Sequence, residues 1–293
     1  MRFRYNTKNK WFKGNTHIHS KASDGGKTFL QLARMYAKVG YHFLCRTDHW
    51  AASNTEADST TYPLLWLDGI ELDGQDQHGG AYHIVCLGKL DGLKPEMGLV
   101  AAIESARKQG AIVVLAHPYW MHNSAEDCLR WGFDGVEIYN HVTRWLNGKS
   151  DGMVHWNIML KNNPETLGFA ADDTHLSAEH PTWNGGWIVV NAPECSRDEI
   201  TKAIRKGNYY SSCGPEFHNI EFDGASVSVE TSPVRFVRLV GPAWCGERLG
   251  SPRGKLIARA TMKVPADWDY VYLEIEDNNG RRAWTNTLFT VRV

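Results

Sequence analysis

Residues 111–118 read AIVVLAHP. An apolar run without alternation is what a strand covered on both faces requires, and such strands belong to parallel sheets flanked by helices. His117 stands at the carboxyl end of that run, followed by Pro118. Working outward, the same arrangement recurs. Phe43-Leu44-Cys45 leads into Thr47-Asp48-His49, Leu64–Leu67 into Gly69-Ile70-Glu71, and Leu167–Ala170 into Asp172-Asp173-Thr174-His175. A strand over His83–Leu87 opens on its histidine, and further strands are expected over Gly135–Tyr139 and Trp187–Val190. Helical spacing lies between them. Thr28 can cap a helix to Val39 with Leu30, Ala33 and Ala37 on one face, Met97–Gln109 ends at Gly110, and Arg197–Lys206 gives a third. Repeated strand–helix units predict an α/β fold on a parallel sheet, open or closed into a barrel.

The pattern changes at Gly214-Pro215. Beyond it the helical spacing fades and short alternating runs take over (VSVE, RFVRLV, LIARATMKV, YVYLEIED), separated by turns such as DNNGR. This predicts a small antiparallel, sandwich-like β domain over residues 215–293 after a first domain over residues 1–214.

The bulk numbers exclude several classes. The chain has 293 residues, 32 Lys+Arg against 33 Asp+Glu, and a net charge of −1. A general nucleic-acid binder would show a basic excess, so no stable nucleic-acid partner is expected. No apolar run reaches the ~18 residues of a membrane span. Met1–Lys13 is basic and lacks the apolar stretch of a secretory leader. The six cysteines are widely spaced with no C-x-x-C pair. They read as reduced core cysteines, which places the protein in the cytoplasm.

Chemistry enters with the histidines. His17 and His19 are two apart, and on extended backbone both side chains share a face. Asp24, His49, Glu71, His83, His117, Asp173 and His175 each fall in a short polar motif, most of them at the carboxyl end of an apolar strand. Ligand-binding and catalytic groups of α/β folds converge at that end. Imidazole with carboxylate suits zinc, manganese or iron. No G-x-S-x-G elbow or nucleophilic cysteine motif is present, so a metal-activated water is the simplest nucleophile.

The ordered set HIHS (17–20), Ser23-Asp24-Gly25, TDH (47–49), GIE (69–71), strand-leading His83, AHP (116–118) and D-x-H (173–175) resembles the PHP (polymerase and histidinol phosphatase) family of metallohydrolases over Gly14 to Gly214. GNTHIHS, GYHFLCRTDH and the tail YYSSCGPEF…GRRAWTN resemble its CehA/McbA-type subgroup, which extends the likeness over the β domain. The resemblance implies a distorted (β/α)7 barrel with two or three divalent ions. It implies one site of His17, His19, Glu71 and Asp173, and a second in which Glu71 bridges to His83 and His117. It implies a third of Asp24, His49 and His175, where some relatives carry a histidine at the Asp24 position. Asp173 rather than Asp172 fits the D-x-H spacing. Glu71, Asp173 and His175 are the implied catalytic residues.

The expected activity is a metal-dependent phosphoesterase using a hydroxide shared between ions on a small phosphate ester. The alternatives are a carboxylic ester or carbamate hydrolase on the same site and a metal-binding module without catalysis. The oligomeric state is not legible. Among the remaining candidates, His42, His141, His155 and His218 lack ligand context, and His78 competes with His83. His180, Glu137 and Asn140 are expected near the rim. Asp48 is expected to orient a ligand, and Lys21, Arg46 or Arg144 to meet an anionic substrate. Trp50, Tyr119, Trp120 and Trp183 are candidates for an aromatic wall.

Overall fold

Thr28 starts the first helix as expected: its hydroxyl accepts from the Gln31 backbone N–H, and the Gln31 side chain accepts from the Thr28 N–H. This capping box satisfies two donors that a helix start leaves free. The helix buries Leu32, Ala33 and Tyr36, a stripe shifted from the expected Leu30, Ala33 and Ala37.

The structure, a computed structural model, describes residues 2–290. In chain order its first part contains β1 (Arg2–Phe3), β2 (Lys10–Asn15), α1 (Phe29–Lys38), β3 (Phe43–Cys45), β4 (Leu65–Leu67), β5 (Gly69–Gln75), β6 (Ala81–Leu87), α2 (Leu99–Lys108), β7 (Ile112–Leu115), α3 (Pro118–Met121), α4 (Ala125–Arg130), β8 (Gly135–Asn140), α5 (His141–Asn147), α6 (Met153–Asn162), β9 (Leu167–Ala171), β10 (Trp187–Ala192), α7 (Arg197–Arg205) and β11 (Tyr209–Ser212). Strands β2, β3 and β4 pair in parallel, as do β7, β8 and β9. The expected run of parallel strands is broken twice, by β6, antiparallel to both β5 and β7, and by β10, antiparallel to both β2 and β11. For β6 the cause is the short turn Asp76–Gly80: a few residues can join antiparallel neighbours, whereas a parallel crossover needs a dozen or more.

After Gly214 follow β12 (Phe217–Phe222), β13 (Ser226–Val234), β14 (Phe236–Val240), β15 (Gly246–Gly250), β16 (Ile257–Lys263), β17 (Tyr272–Glu276), β18 (Arg282–Thr285) and β19 (Phe289–Thr290). All their pairings are antiparallel. Strand β18 pairs with β11, so a nine-stranded sheet runs β15-β14-β17-β18-β11-β10-β2-β3-β4 across Gly214. A second sheet has the order β5-β6-β7-β8-β9, a third β12-β13-β16, and β1 pairs with β19.

Among the described residues no continuous ladder closes these sheets into a barrel. The nine- and five-stranded sheets meet instead through single parallel bridges, His49 with Glu71 and Ile18 with Thr174. Their facing side chains, including Phe43, Leu67, Val85, Val114 and Phe169, form a shared core into which α7 inserts Ile200 and Ile204. Gly14 is required there, because a Cβ would lie 2.1 Å from the Phe43 ring on the paired strand. Among the described residues no helix is long and apolar enough to cross a membrane.

Candidate metal centre

Both sheet-joining bridges fall among the singled-out motifs. Ile18 points into a core cluster with Leu32 and Tyr36, so His17 and His19 on either side of it turn the other way, as extended backbone dictates. Both are fully buried. Their Nε2 atoms lie 3.1 Å from each other, and each lies 3.1 Å from Glu71 Oε2. Asp173 Oδ1 lies 3.3 Å from His17 Nε2 and 3.0 Å from His19 Nε2. Glu71 reaches the cluster from β5. Its Oε2 is also 3.3 Å from His49 Nε2, and its Oε1 lies 2.9 Å from His83 Nδ1 and 3.6 Å from His117 Nε2. Asp24 Oδ2 lies 3.2 Å from His175 Nε2 and 3.9 Å from His49 Nε2, and its Oδ1 is 3.5 Å from His19 Nδ1. All nine candidate ligands therefore come together.

Their grouping is close to the implied one and differs in two partners, His19 joining the Asp24 group and His49 taking the place of His117 beside Glu71 and His83. His17, His19, Glu71 and Asp173 offer donor atoms within 4.8 Å of one another, and so do His19, Asp24, His49 and His175. Glu71 and His83 form a third such group with His49, whose backbone bridges to Glu71, rather than with His117. His117 groups with His17 and Glu137.

The electrostatics suit a cation. Burial alone would push the His17 and His19 pKa values down, but Asp173 and Glu71 reverse this, with Glu137 adding its charge at His17. His17 ends well above its ordinary value and His19 at about 10. His83 is raised too, burial being outweighed by Glu71. Burial pushes Glu71 and Asp173 up, and the surrounding imidazoles hold both well below the usual carboxylate range. Protons thus balance the carboxylates where a metal ion would. Several buried atoms make no well-aligned hydrogen bond: Glu71 Oε2, although three imidazole nitrogens lie within 3.3 Å of it, His19 Nδ1 and His117 Nδ1. Such orphans are costly in a protein interior. With the imidazole–carboxylate donor set, they fit divalent ions.

The backbone is strained around this cluster. Non-glycine residues with positive φ include Trp50 (50°), His117 (28°), Asp173 (53°) and Leu176 (49°), each a candidate ligand or the residue after one. Strain of this kind persists where surrounding contacts over-determine it.

Other expectations are corrected. Asp48 orients no ligand histidine: its carboxylate accepts from Ser20 N, Ser20 Oγ, Ser23 N and Ser23 Oγ, shaping the turn that carries Asp24. Gly25 is needed in that turn, since a Cβ would sit 2.4 Å from the His19 carbonyl oxygen. Glu137 and Asn140 are buried rather than at the rim. Glu137 Oε1 accepts from His17 Nδ1 at 2.7 Å, and Asp73 Oδ1 faces His49 Nδ1 at 2.9 Å. Sequence reading missed Asp73, although it follows Glu71 by two on the same strand and so shares its face. His78 is exposed, away from the competition with His83.

A cavity of about 350 Å³ opens over the cluster, walled by Trp120, Val142, Thr143, Leu146 and His180 beside the candidate ligands. Trp120 packs edge-on against His83 and His117. Trp183 instead packs on Tyr36, and Tyr119 is exposed. No lysine or arginine lines the cavity among the described residues. Arg46 is occupied elsewhere, stacked 3.9 Å from the Phe29 ring centroid and paired with Asp58. Lys21 and Arg144 do not line the cavity.

No family model matches the chain, and no curated protein matches it in sequence. Solved structures do resemble it. One is a two-domain protein from Bacteroides vulgatus containing a predicted PHP-like metal-dependent phosphoesterase, with 14% identity, a TM-score of 0.53 and 96% of each chain covered. A protein from Bifidobacterium adolescentis assigned as a metal-dependent phosphoesterase shares 15% identity, with a TM-score of 0.45, over 66% of this chain and 96% of its own. An amidohydrolase from Chromobacterium violaceum, solved with bound sulfate and no metal, shares 14% identity, with a TM-score of 0.45, over 67% and 96%. The first likeness shows a shared fold over both parts of the chain, the C-terminal β strands included.

Proposed function

We propose that this protein is a metal-dependent phosphoesterase acting on a small phosphate ester, with its ions held by His17, His19, Asp24, His49, Glu71, His83, His117, Asp173 and His175. The observation that carries this reading is one buried carboxylate, Glu71, facing five imidazoles, those of His17, His19, His49, His83 and His117. A structural ion pair has no use for so many.

Bound divalent ions would supply Lewis acidity and bring the pKa of a water towards neutrality. The chain's own groups do the rest. Glu71 and Asp173 lie buried at the centre of the ligand set. His175, on the cavity wall with Asp24, would be free to meet a leaving-group oxygen only with no third ion held between them. Trp120, Val142 and Leu146 exclude water from one side of the cavity. Zinc, manganese and iron all suit these ligands. We place the protein in the CehA/McbA-type subgroup on its motifs, and we read residues 215–293 as a small β domain that supports the catalytic one.

A second reading, hydrolysis of a carboxylic ester or carbamate, is favoured by one feature: Trp120, Val142 and Leu146 give the cavity an apolar side, and no lysine or arginine among the described residues lines it. The deciding experiment is an assay of the purified protein, with chelator and with added zinc or manganese, against a chromogenic phosphate monoester, a phosphodiester and an aryl carboxylic ester. Metal-dependent turnover of a phosphate ester that Glu71→Ala abolishes supports the first reading. Turnover of the carboxylic ester alone transfers the function to the second. A protein that binds metal and turns over none of them would speak for a module without catalysis.

A further inference from the structure

We propose that Glu137 is a positioning residue: it holds the proton of His17 on Nδ1 and so reserves Nε2 for a metal ion. This rests on the metal-centre reading above and assigns a tautomer that the ligand set alone leaves open.

Glu137 is buried on β8, the strand paired with both β7 and β9. The β8–β9 register shifts between Glu137 and Tyr139, an irregularity of the kind that re-aims a side chain. Its backbone is crowded as well, for Gly152 approaches so closely that a Cβ there would lie 2.1 Å from the Glu137 carbonyl oxygen. From this fixed position the carboxylate touches three elements. Oε1 accepts from His17 Nδ1 at 2.7 Å, and Oε2 accepts from the His117 backbone N–H at 2.9 Å and from Asn140 Nδ2 at 2.8 Å. Asn140 Nδ2 also lies 3.3 Å from Asp173 Oδ2. One side chain thereby ties together ligands that follow β2, β7 and β9, including His117 with its left-handed backbone.

The chemistry follows from counting donors. A neutral imidazole has one N–H and one lone pair, and a carboxylate can only accept. Facing Glu137, Nδ1 must carry the hydrogen, which leaves the lone pair on Nε2, the atom turned towards Glu71 and Asp173. All three groups around Glu137 are donors, so Glu137→Gln, of the same shape, cannot satisfy them. With its oxygen towards His117 and Asn140, the amide NH2 meets Nδ1 and drives the hydrogen to Nε2. With its oxygen towards His17, the NH2 opposes two donors and frees the His117 N–H.

The test uses the full chain loaded with zinc alone. In the wild type, long-range nitrogen–proton NMR should show His17 protonated on Nδ1. Glu137→Gln should bind zinc about 10–100-fold more weakly by chelator competition, as loss of a partner behind a metal-bound histidine does. Metal-free melting temperatures serve as the folding control. A Glu137→Gln protein that binds zinc as tightly as wild type overturns the inference, as does a zinc-loaded wild type with the His17 proton on Nε2. The wild-type spectrum decides even if the variant fails to fold. A wild type that binds no zinc, manganese or iron overturns the metal-centre reading and this inference together.

Discussion

Glu71 has almost no contact with solvent and faces five imidazoles from four chain segments. Glu71→Gln keeps its shape and removes its charge, and should lower activity by more than about 100-fold, since losing even an indirect partner of a ligand costs 10–100-fold. Bound metal, measured by elemental analysis, should fall with it; full metal content would remove Glu71 from the ligand set. Asp24 contrasts with it. Its side chain is 53% exposed and faces the imidazoles of His19, His49 and His175, with Ser23 Oγ donating to its Oδ1. Asp24→Ala should therefore lose at most one ion and leave the others in place. At this scale the sequence was most informative, because histidines and carboxylates at the ends of apolar strands have few structural uses. What it hid was Asp73 altogether and, for Glu137, the burial that puts it behind a ligand rather than at the rim. Asp73 and Glu137 sit inside strands (IELD, VEIY) and look like ordinary outward-facing polar residues until the register is known.

At the scale of elements, the β5–β6 hairpin carries both Glu71 and His83, and its turn, DQHGG over residues 76–80, shows in sequence only as a short polar stretch with two glycines. Asp76 organises it. Its carboxylate accepts from His78 N, Gly80 N, Arg130 Nη1 and Trp131 Nε1. Burial pushes the Asp76 pKa up, but these hydrogen bonds, led by that from Gly80, hold it down at about 2. A carboxyl depressed in the folded state contributes stability above its unfolded pKa near 3.9, and that contribution is lost as pH falls towards 2. Asp76→Asn should destabilise the protein by about 2–3 kcal/mol near neutral pH, as loss of charge-assisted hydrogen bonds does. The gap from wild type, read from urea midpoints, should close between about pH 4 and pH 2. A gap constant with pH would mean the charge is irrelevant. Short helices were the other element lost to sequence reading. α3 has four residues and α5 seven, too few for a helical stripe to repeat, and α6 mixes buried Trp156 with exposed Val154.

For the whole molecule, the change at Gly214-Pro215 was visible as a change of period, whereas the seam across it was not. Strand β18 extends the sheet that contains β11, and Trp284 and Tyr272 belong to the same buried cluster as Trp156 of α6. Arg282 pairs with Asp151 ahead of α6. Pairings between residues so far apart leave no local pattern to read. Ending the chain at Gly214 would open the edge of β11 and bare Trp156, so the shortened protein should aggregate rather than fold. Intact, the two sheets are joined by single bridges at His49/Glu71 and Ile18/Thr174, both within the ligand motifs. An ion bound there would add a tie where the ladders supply none. Metal should therefore govern global stability as well as activity. At a free ion concentration 100 times its dissociation constant the gain is about 2.7 kcal/mol, or roughly 5–10 °C in melting temperature. Chelation should lower the melting temperature by that amount, and zinc or manganese should restore it in the wild type but not in Glu71→Gln. If chelation leaves the wild-type melt unchanged while removing metal, the sheets hold together without the ion, and the metal acts on the chemistry alone.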